Sequence, residues 1–183
     1  MGDKFFPILG IVGQLIAYIC IGFSIYLSPS FSWHVNALSD LGHAGKSGVA
    51  LIFNTGLLLS GFLAALYSIK SLINYAKYTG VSFTFSALML QAIATFDEIY
   101  GQIHFIVSVL FFVSVGTSCI IYSLERRSIL AALAFLVGLF AWALWWAGVY
   151  REGVAVPEII SALAATSCII HSAIKIMGQQ PRN

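Results

Sequence analysis

The residues of this chain able to do acid–base or coordination chemistry gather near one set of ends of its long apolar runs: Asp40, His43, Asp97, Glu98, His104 and Glu158. Asp97 and His104 stand seven positions apart, nearly two helical turns, so a helix through both would place them on one face. Asp40 and His43, three apart, would share a face if their stretch is helical. An imidazole in an apolar segment is costly when charged and still wants a partner when neutral. A carboxylate beside His104 would fix its tautomer, and the pair could then run general acid–base chemistry. With a third ligand from Asp40 or His43 the set could hold a divalent metal, although no metal-specific spacing is present. His104, Asp40 and Glu158 are therefore the candidates for catalysis, and Ser39, His43, Asn54 and Asp97 for binding. Metal and cofactor stay open.

Each candidate also has a purely structural use. His104 can bridge two helices. Asp97 and Glu98 stand where a helix begins, and acids there favour the helix dipole. Pro157 followed by Glu158 reads as a helix start with proline at its first position, and Asp40 can cap a turn. His34, Arg151 and Glu152 read as solvated loop residues, and His171, near the inner end of the last span and away from the cluster, as interfacial or packing. No G-x-S-x-G, H-E-x-x-H, phosphate loop or G-x-G-x-x-G occurs. Cys20, Cys119 and Cys168 lie in apolar runs without a C-x-x-C pair and read as small buried hydrophobes.

The elements that must position these side chains follow from composition. The chain has 183 residues, 60% hydrophobic and 9% charged, against about 25% charged in an average soluble domain. Such a surface suits lipid. A net charge of +2 without clustered Lys and Arg gives no footprint for nucleic acid. Apolar runs of the ~20 residues a spanning helix needs occur at about 6–28, 48–70, 78–96, 102–124, 128–149 and 156–177. Backbone in lipid must close its hydrogen bonds internally, so helices are expected. The fold class is an all-α integral membrane protein: one domain over 1–183, a bundle of six transmembrane helices with a long first outer loop. The first run is longer than a signal peptide and lacks an A-x-A-like site, so it reads as an uncleaved span.

Lys and Arg set the orientation. With the N-terminus cytoplasmic, Lys4, Lys70, Lys77, Arg126, Arg127, Lys175 and Arg182 fall inside, and only Lys46 and Arg151 fall outside. Both termini are expected in the cytoplasm of a multi-pass cell-membrane protein. Asp40, Asp97, Glu98, Glu152 and Glu158 fall outside, and Asp3 and Glu125 inside. Trp33, Trp142, Trp145, Trp146 and Tyr150 form an aromatic belt at the outer interface. The loop 29–47 mixes apolar and polar residues and is expected to fold over the bundle mouth. Glu158, Ser161, Ala165, Cys168 and Ser172 form one small-residue stripe, and Ser47, Ala50, Asn54, Gly61, Ala65 and Ser68 another. Such stripes let helices approach closely, and Asn54 needs a partner for its amide.

Asn36-Ala-Leu-Ser-Asp-Leu-Gly42, Phe53-Asn-Thr-Gly-Leu57, the acidic turn before Gly101-Gln-Ile-His104, Phe111-Phe112, and Gly153-Val-Ala-Val-Pro-Glu158 with Ser161 resemble a prokaryotic membrane family of small archaeal and bacterial proteins. It is known as domain of unknown function 998, and the resemblance covers roughly 8–178. It implies about six helices and no established activity. Ser39, Asp40, Asn54, His104 and Glu158 match its pattern. The general layout is similar to the Frag1/DRAM/Sfk1 group, which is tied to lipid handling; that is analogy at the level of fold. The expected function is a lipid- or protein-binding, scaffolding membrane protein with an outer Asp/His/Glu cluster. The alternative is a hydrolase-like enzyme acting on a lipid or isoprenoid head group there, with a small transporter behind both. The expected partners are membrane lipids, and a second copy or another membrane protein.

Overall fold

The computed structural model describes residues 4–179, so Asp3 and Arg182 lie outside the described residues. Six long helices make up the fold, and no strand occurs among the described residues. They are α1 (Phe5–Tyr26), α2 (Ala50–Tyr75), α3 (Lys77–Thr95), α4 (Gln102–Arg126), α5 (Ile129–Trp146) and α6 (Ala155–Gly178). Each expected run is helical, with ends displaced by a few residues. α2 runs past its expected end through a π turn at Ser68–Leu72. There the Ser68 hydroxyl donates to the Gly80 carbonyl at 2.7 Å and so ties α2 to α3.

Successive helices alternate in direction, as their contacts require. Gly13 packs on Ser60 and Gly56 on Cys20. Gly61 meets Gln91, Ser82 bonds Ser118, and Gly116 meets Phe135. The connections 27–49, 96–101 and 147–154 therefore share one end of the bundle, called here the loop end. Ala76 and 127–128 make tight turns at the other. Lys4, Lys70, Lys77, Arg126, Arg127 and Lys175 cluster at the tight-turn end. Glu125 there accepts from the amides of Tyr78 and Thr79, satisfying donors at the start of α3.

α1, α2, α4, α5 and α6 are each long and apolar enough to cross a membrane. Phe23, Leu133, Phe140 and Leu163 are among many large apolar side chains exposed on the outside of the bundle. In water they would be an aggregation hazard; in lipid they are an ordinary surface. The apolar helices mark a membrane protein. α3 is less apolar because it is rich in hydroxyls; Thr79 and Ser86 are buried, whereas Tyr78 and Thr95 near its ends are exposed. Ser82 bonds Ser118 at 2.8 Å, and Thr84 donates to the Gly80 carbonyl at 2.8 Å. Its outer face carries Val81, Phe85 and Leu88.

Small residues set the interior. Gly13, Ala17, Gly56, Ala64 and Ala65 bring α1 against α2. The stripe Ser161, Ala165, Cys168 and Ser172 is buried along α6. Several polar groups in this interior find each other, as desolvation favours, although the buried Ser24 and Ser60 hydroxyls have no partner. Tyr67 bonds Ser172 at 2.7 Å, and Tyr18 bonds Thr166 at 2.8 Å. Cys119 and Cys168 stand 3.9 Å apart at their sulfurs, both buried and unlinked; Cys20 is only partly buried.

Candidate functional site

The first loop folds back over the loop end instead of extending from it. Its middle is a 3-10 turn, Leu38–Gly42. Asp40 makes that turn: its Oδ2 accepts from the Ala37 amide at 3.0 Å and from the Asn36 side chain at 2.6 Å. Asn36 Oδ1 in turn accepts from the Ser32 amide at 2.9 Å. Leu38 and Leu41 point down into a buried apolar cluster with Phe53, Leu57 and Ile93. Apolar residues on one side and a self-satisfied polar turn on the other explain why this segment lies on the bundle.

Five hydrogen bonds from four parts of the chain latch the loop backbone. Glu158, in the first turn of α6, accepts from the Leu38 amide at 2.7 Å. Asn54 of α2 donates to the Gly42 carbonyl at 2.8 Å. Asp97, buried, accepts from the Ala44 amide at 3.3 Å and from the Ile99 amide at 2.9 Å. The α5–α6 connection contributes backbone: the Gly153 amide donates to the Trp33 carbonyl at 2.8 Å, and the Ala155 amide to the Asn36 carbonyl at 3.0 Å. The exposed His34 and Glu152, read from sequence as solvated, pair across the same seam.

His104 is buried, but its partners are not those expected. Gly101 has φ +49° and breaks the chain between a short 3-10 turn, Glu98–Tyr100, and α4. Asp97 and His104 therefore sit on different elements and share no helical face. His104 Nδ1 stands 2.8 Å from the Phe96 carbonyl. A carbonyl only accepts, so Nδ1 carries the proton, and Nε2 faces the Ser108 hydroxyl at 3.4 Å. The imidazole ties the end of α3 to the start of α4. Pro157 is the third residue of α6 and not the first. His171 packs on the Tyr122 ring, away from the loop end.

Beside the latches lies an open groove of about 570 Å³ between the loop, the end of α1 and the α3–α4 turn. Asp40, His43, Lys46 and Glu98 line it, with Leu27 and Phe31 toward its apolar rim. His104, Glu158, Asn54 and Asp97 do not. The structure thus divides the expected cluster into residues that hold the loop and residues that face a cavity. Ser39 does not line the cavity, but it acts on Glu98, which does. Glu98, Asn36, Lys46 and Gly153 are the residues that sequence reasoning passed over as site members. The four-residue spacing from Asn36 to Asp40 was the available signal for the turn.

Glu98 is pushed up to about 7, first by burial, then by the Asp40 carboxyl, which lies within hydrogen-bond reach; Lys46 and Ser39 act the other way. Two carboxyls this close cannot both ionise cheaply, which holds a proton on Glu98 toward neutral pH. A carboxyl raised by folding stabilises the fold fully below its unfolded value, and that contribution is lost as pH rises through the folded one. Thermal stability in detergent is expected to fall between the ordinary carboxylate range and about pH 7. Glu98→Gln should remove that part of the slope; an identical slope in the variant rules the pair out as its source. Among the described residues, no group of three His, Cys, Asp or Glu side chains is placed to hold a metal ion.

Residues 11–175 match the model of a family described as "protein of unknown function (DUF998)". No curated protein and no solved structure matches the chain.

Proposed function

Since the chain belongs to the DUF998 family, whose description carries no activity, we propose from its own geometry that it binds the polar head group of a lipid and acts as a binding or scaffolding protein. In this reading it crosses the cell membrane six times with both termini in the cytoplasm. The groove under the first loop then opens at the outer leaflet. Basic residues crowd the tight-turn end, which the positive-inside rule assigns to the cytoplasm. The buried Thr79 and Ser86 and the apolar outer face of α3 support counting it as the sixth span.

The observation that carries the reading is the separation of roles at the loop end. Five hydrogen bonds hold the loop backbone, while Asp40, His43, Lys46 and Glu98 line a cavity. Its volume lies within the ~300–1,000 Å³ typical of small-molecule sites. Charges of both signs around an opening with an apolar rim suit a molecule with a polar head and an apolar tail.

Native mass spectrometry of the protein extracted in mild detergent tests this. Wild type and His104→Ala should both retain lipid, and Lys46→Ala should lose most of it. His104→Ala should also cost about 1–3 kcal/mol in stability, since it removes a buried imidazole and its hydrogen bond to the Phe96 carbonyl. Retention that ignores Lys46, or that vanishes with His104, would overturn the reading.

One observation favours an enzyme as the second reading. A carboxyl pushed up to about 7, as Glu98 is beside Asp40, is suited to acid–base catalysis on a bound head group. Release of a water-soluble head group from lipid by the purified protein, abolished in Glu98→Gln, would establish it.

A further inference from the structure

We propose that the groove selects a phosphate ester carrying a primary ammonium, the chemistry of an aminophospholipid head group, with Glu98 and Asp40 taking the ammonium and Lys46 and His43 the phosphate. This rests on the reading of the groove as a head-group site and names what it selects.

The two ends of such a ligand find opposite charges within one cavity. Asp40 and Glu98 lie together in it, within hydrogen-bond reach of each other, and Lys46 is near enough to act on Glu98. Two of the acceptor positions on Asp40 are already used by the Asn36 side chain and the Ala37 amide, both on Oδ2. That fixes the carboxyl and leaves Oδ1 for Glu98 or a ligand. A primary ammonium has three donors and can bridge two carboxyl groups. Doing so removes the need for the proton on Glu98.

The cationic side comes from the loop itself. His43 Nδ1 accepts from the Gly45 amide at 3.2 Å, so the ring proton of the neutral form sits on Nε2. That nitrogen is a donor suited to a phosphate oxygen. Lys46 is exposed and lines the same cavity. A quaternary ammonium would ask for a cage of aromatic faces. Phe31 is the one aromatic residue lining this groove, which favours the hydrogen-bonding amine.

The sign of the pH dependence follows. Glu98 faces Asp40 and Ser39 from the loop turn, Lys46 and His43 from the loop end, and Glu158 from α6. Burial and the neighbouring Asp40 carboxyl are what keep a proton on Glu98. An ammonium that displaces this proton binds better as pH rises through about 7, and its binding releases a proton to the buffer.

The test uses the full chain in nanodiscs. Phosphatidylethanolamine, phosphatidylcholine and phosphatidylglycerol are compared by native mass spectrometry, and water-soluble glycerophosphoethanolamine by calorimetry in two buffers. Phosphatidylethanolamine should be retained about tenfold or more over the other two. That preference should vanish in Glu98→Gln, which leaves the turn made by Asp40 intact, and Lys46→Ala should weaken all three lipids. Binding of the soluble ester with proton release would mean that the head group alone suffices; retention of the lipid only would add the apolar rim as part of the site. Equal retention of the three lipids, or a preference for phosphatidylcholine or phosphatidylglycerol, overturns the selectivity while leaving the lipid-site reading standing. No retention of any lipid overturns both.

Discussion

Gly153→Ala is expected to release the first loop from the bundle. A Cβ at that position would stand 2.4 Å from the Asn36 carbonyl oxygen and 2.8 Å from both the Asn36 nitrogen and the Val35 carbonyl carbon. All three are backbone atoms, so no side-chain rotation relieves the clash. The seam must part, and with it the hydrogen bonds from Gly153 to Trp33 and from Ala155 to Asn36. Overpacking of this kind costs about 1–3 kcal/mol. Its functional cost is larger than its thermodynamic one, because the loop carries Asp40, His43 and Lys46 of the groove. Hydrogen exchange over residues 33–44 should rise sharply in the variant, and lipid retention should fall with it. Unchanged protection there would mean that the loop does not depend on this seam.

Gly56→Ala should separate α1 from α2. The added Cβ would lie 2.3 Å from the Cβ of Cys20 and 2.8 Å from its sulfur. A Cβ is fixed by its own backbone, so the helices themselves must move apart. In lipid, association rests on close van der Waals contact between small faces, and a gap here forfeits that contact along the interface. A loss of about 1–3 kcal/mol is expected, read as a lower unfolding temperature in detergent. Cys20→Gly added to Gly56→Ala should restore part of it, short of the whole because glycine inside a helix costs up to ~1 kcal/mol. Cys20→Ala keeps the Cβ and should restore none. If the alanine rescue works as well as the glycine one, the interface is not set by this contact.

His104 and Glu98 mark where reading the sequence stops. The seven-residue spacing from Asp97 to His104 fits a continuous helix, but Gly101 turns the chain with a positive φ, and the two side chains serve different elements. Spacing reports a shared face only while the backbone stays regular. Glu98 looked like an acid placed for the helix dipole; its proximity to Asp40 comes from a residue 58 positions earlier, 98 minus 40, across a loop whose path no local pattern reveals.

The residues by themselves determined the helices, and the grouping of acids at one set of helix ends and most bases at the other. Hydrocarbon penalises charge and open backbone over every turn of a span, so those constraints are written locally and repeatedly along the chain. The tertiary structure alone decided which polar residues latch the loop and which line a cavity. Glu158, Asn54 and Asp97 became latches because the folded loop brings backbone amides and a carbonyl to them. Asp40 and Glu98 met because three separate connections converge on one end of the bundle. A hydrogen bond is settled by position within a few tenths of an ångström, and composition and periodicity do not carry positions at that scale.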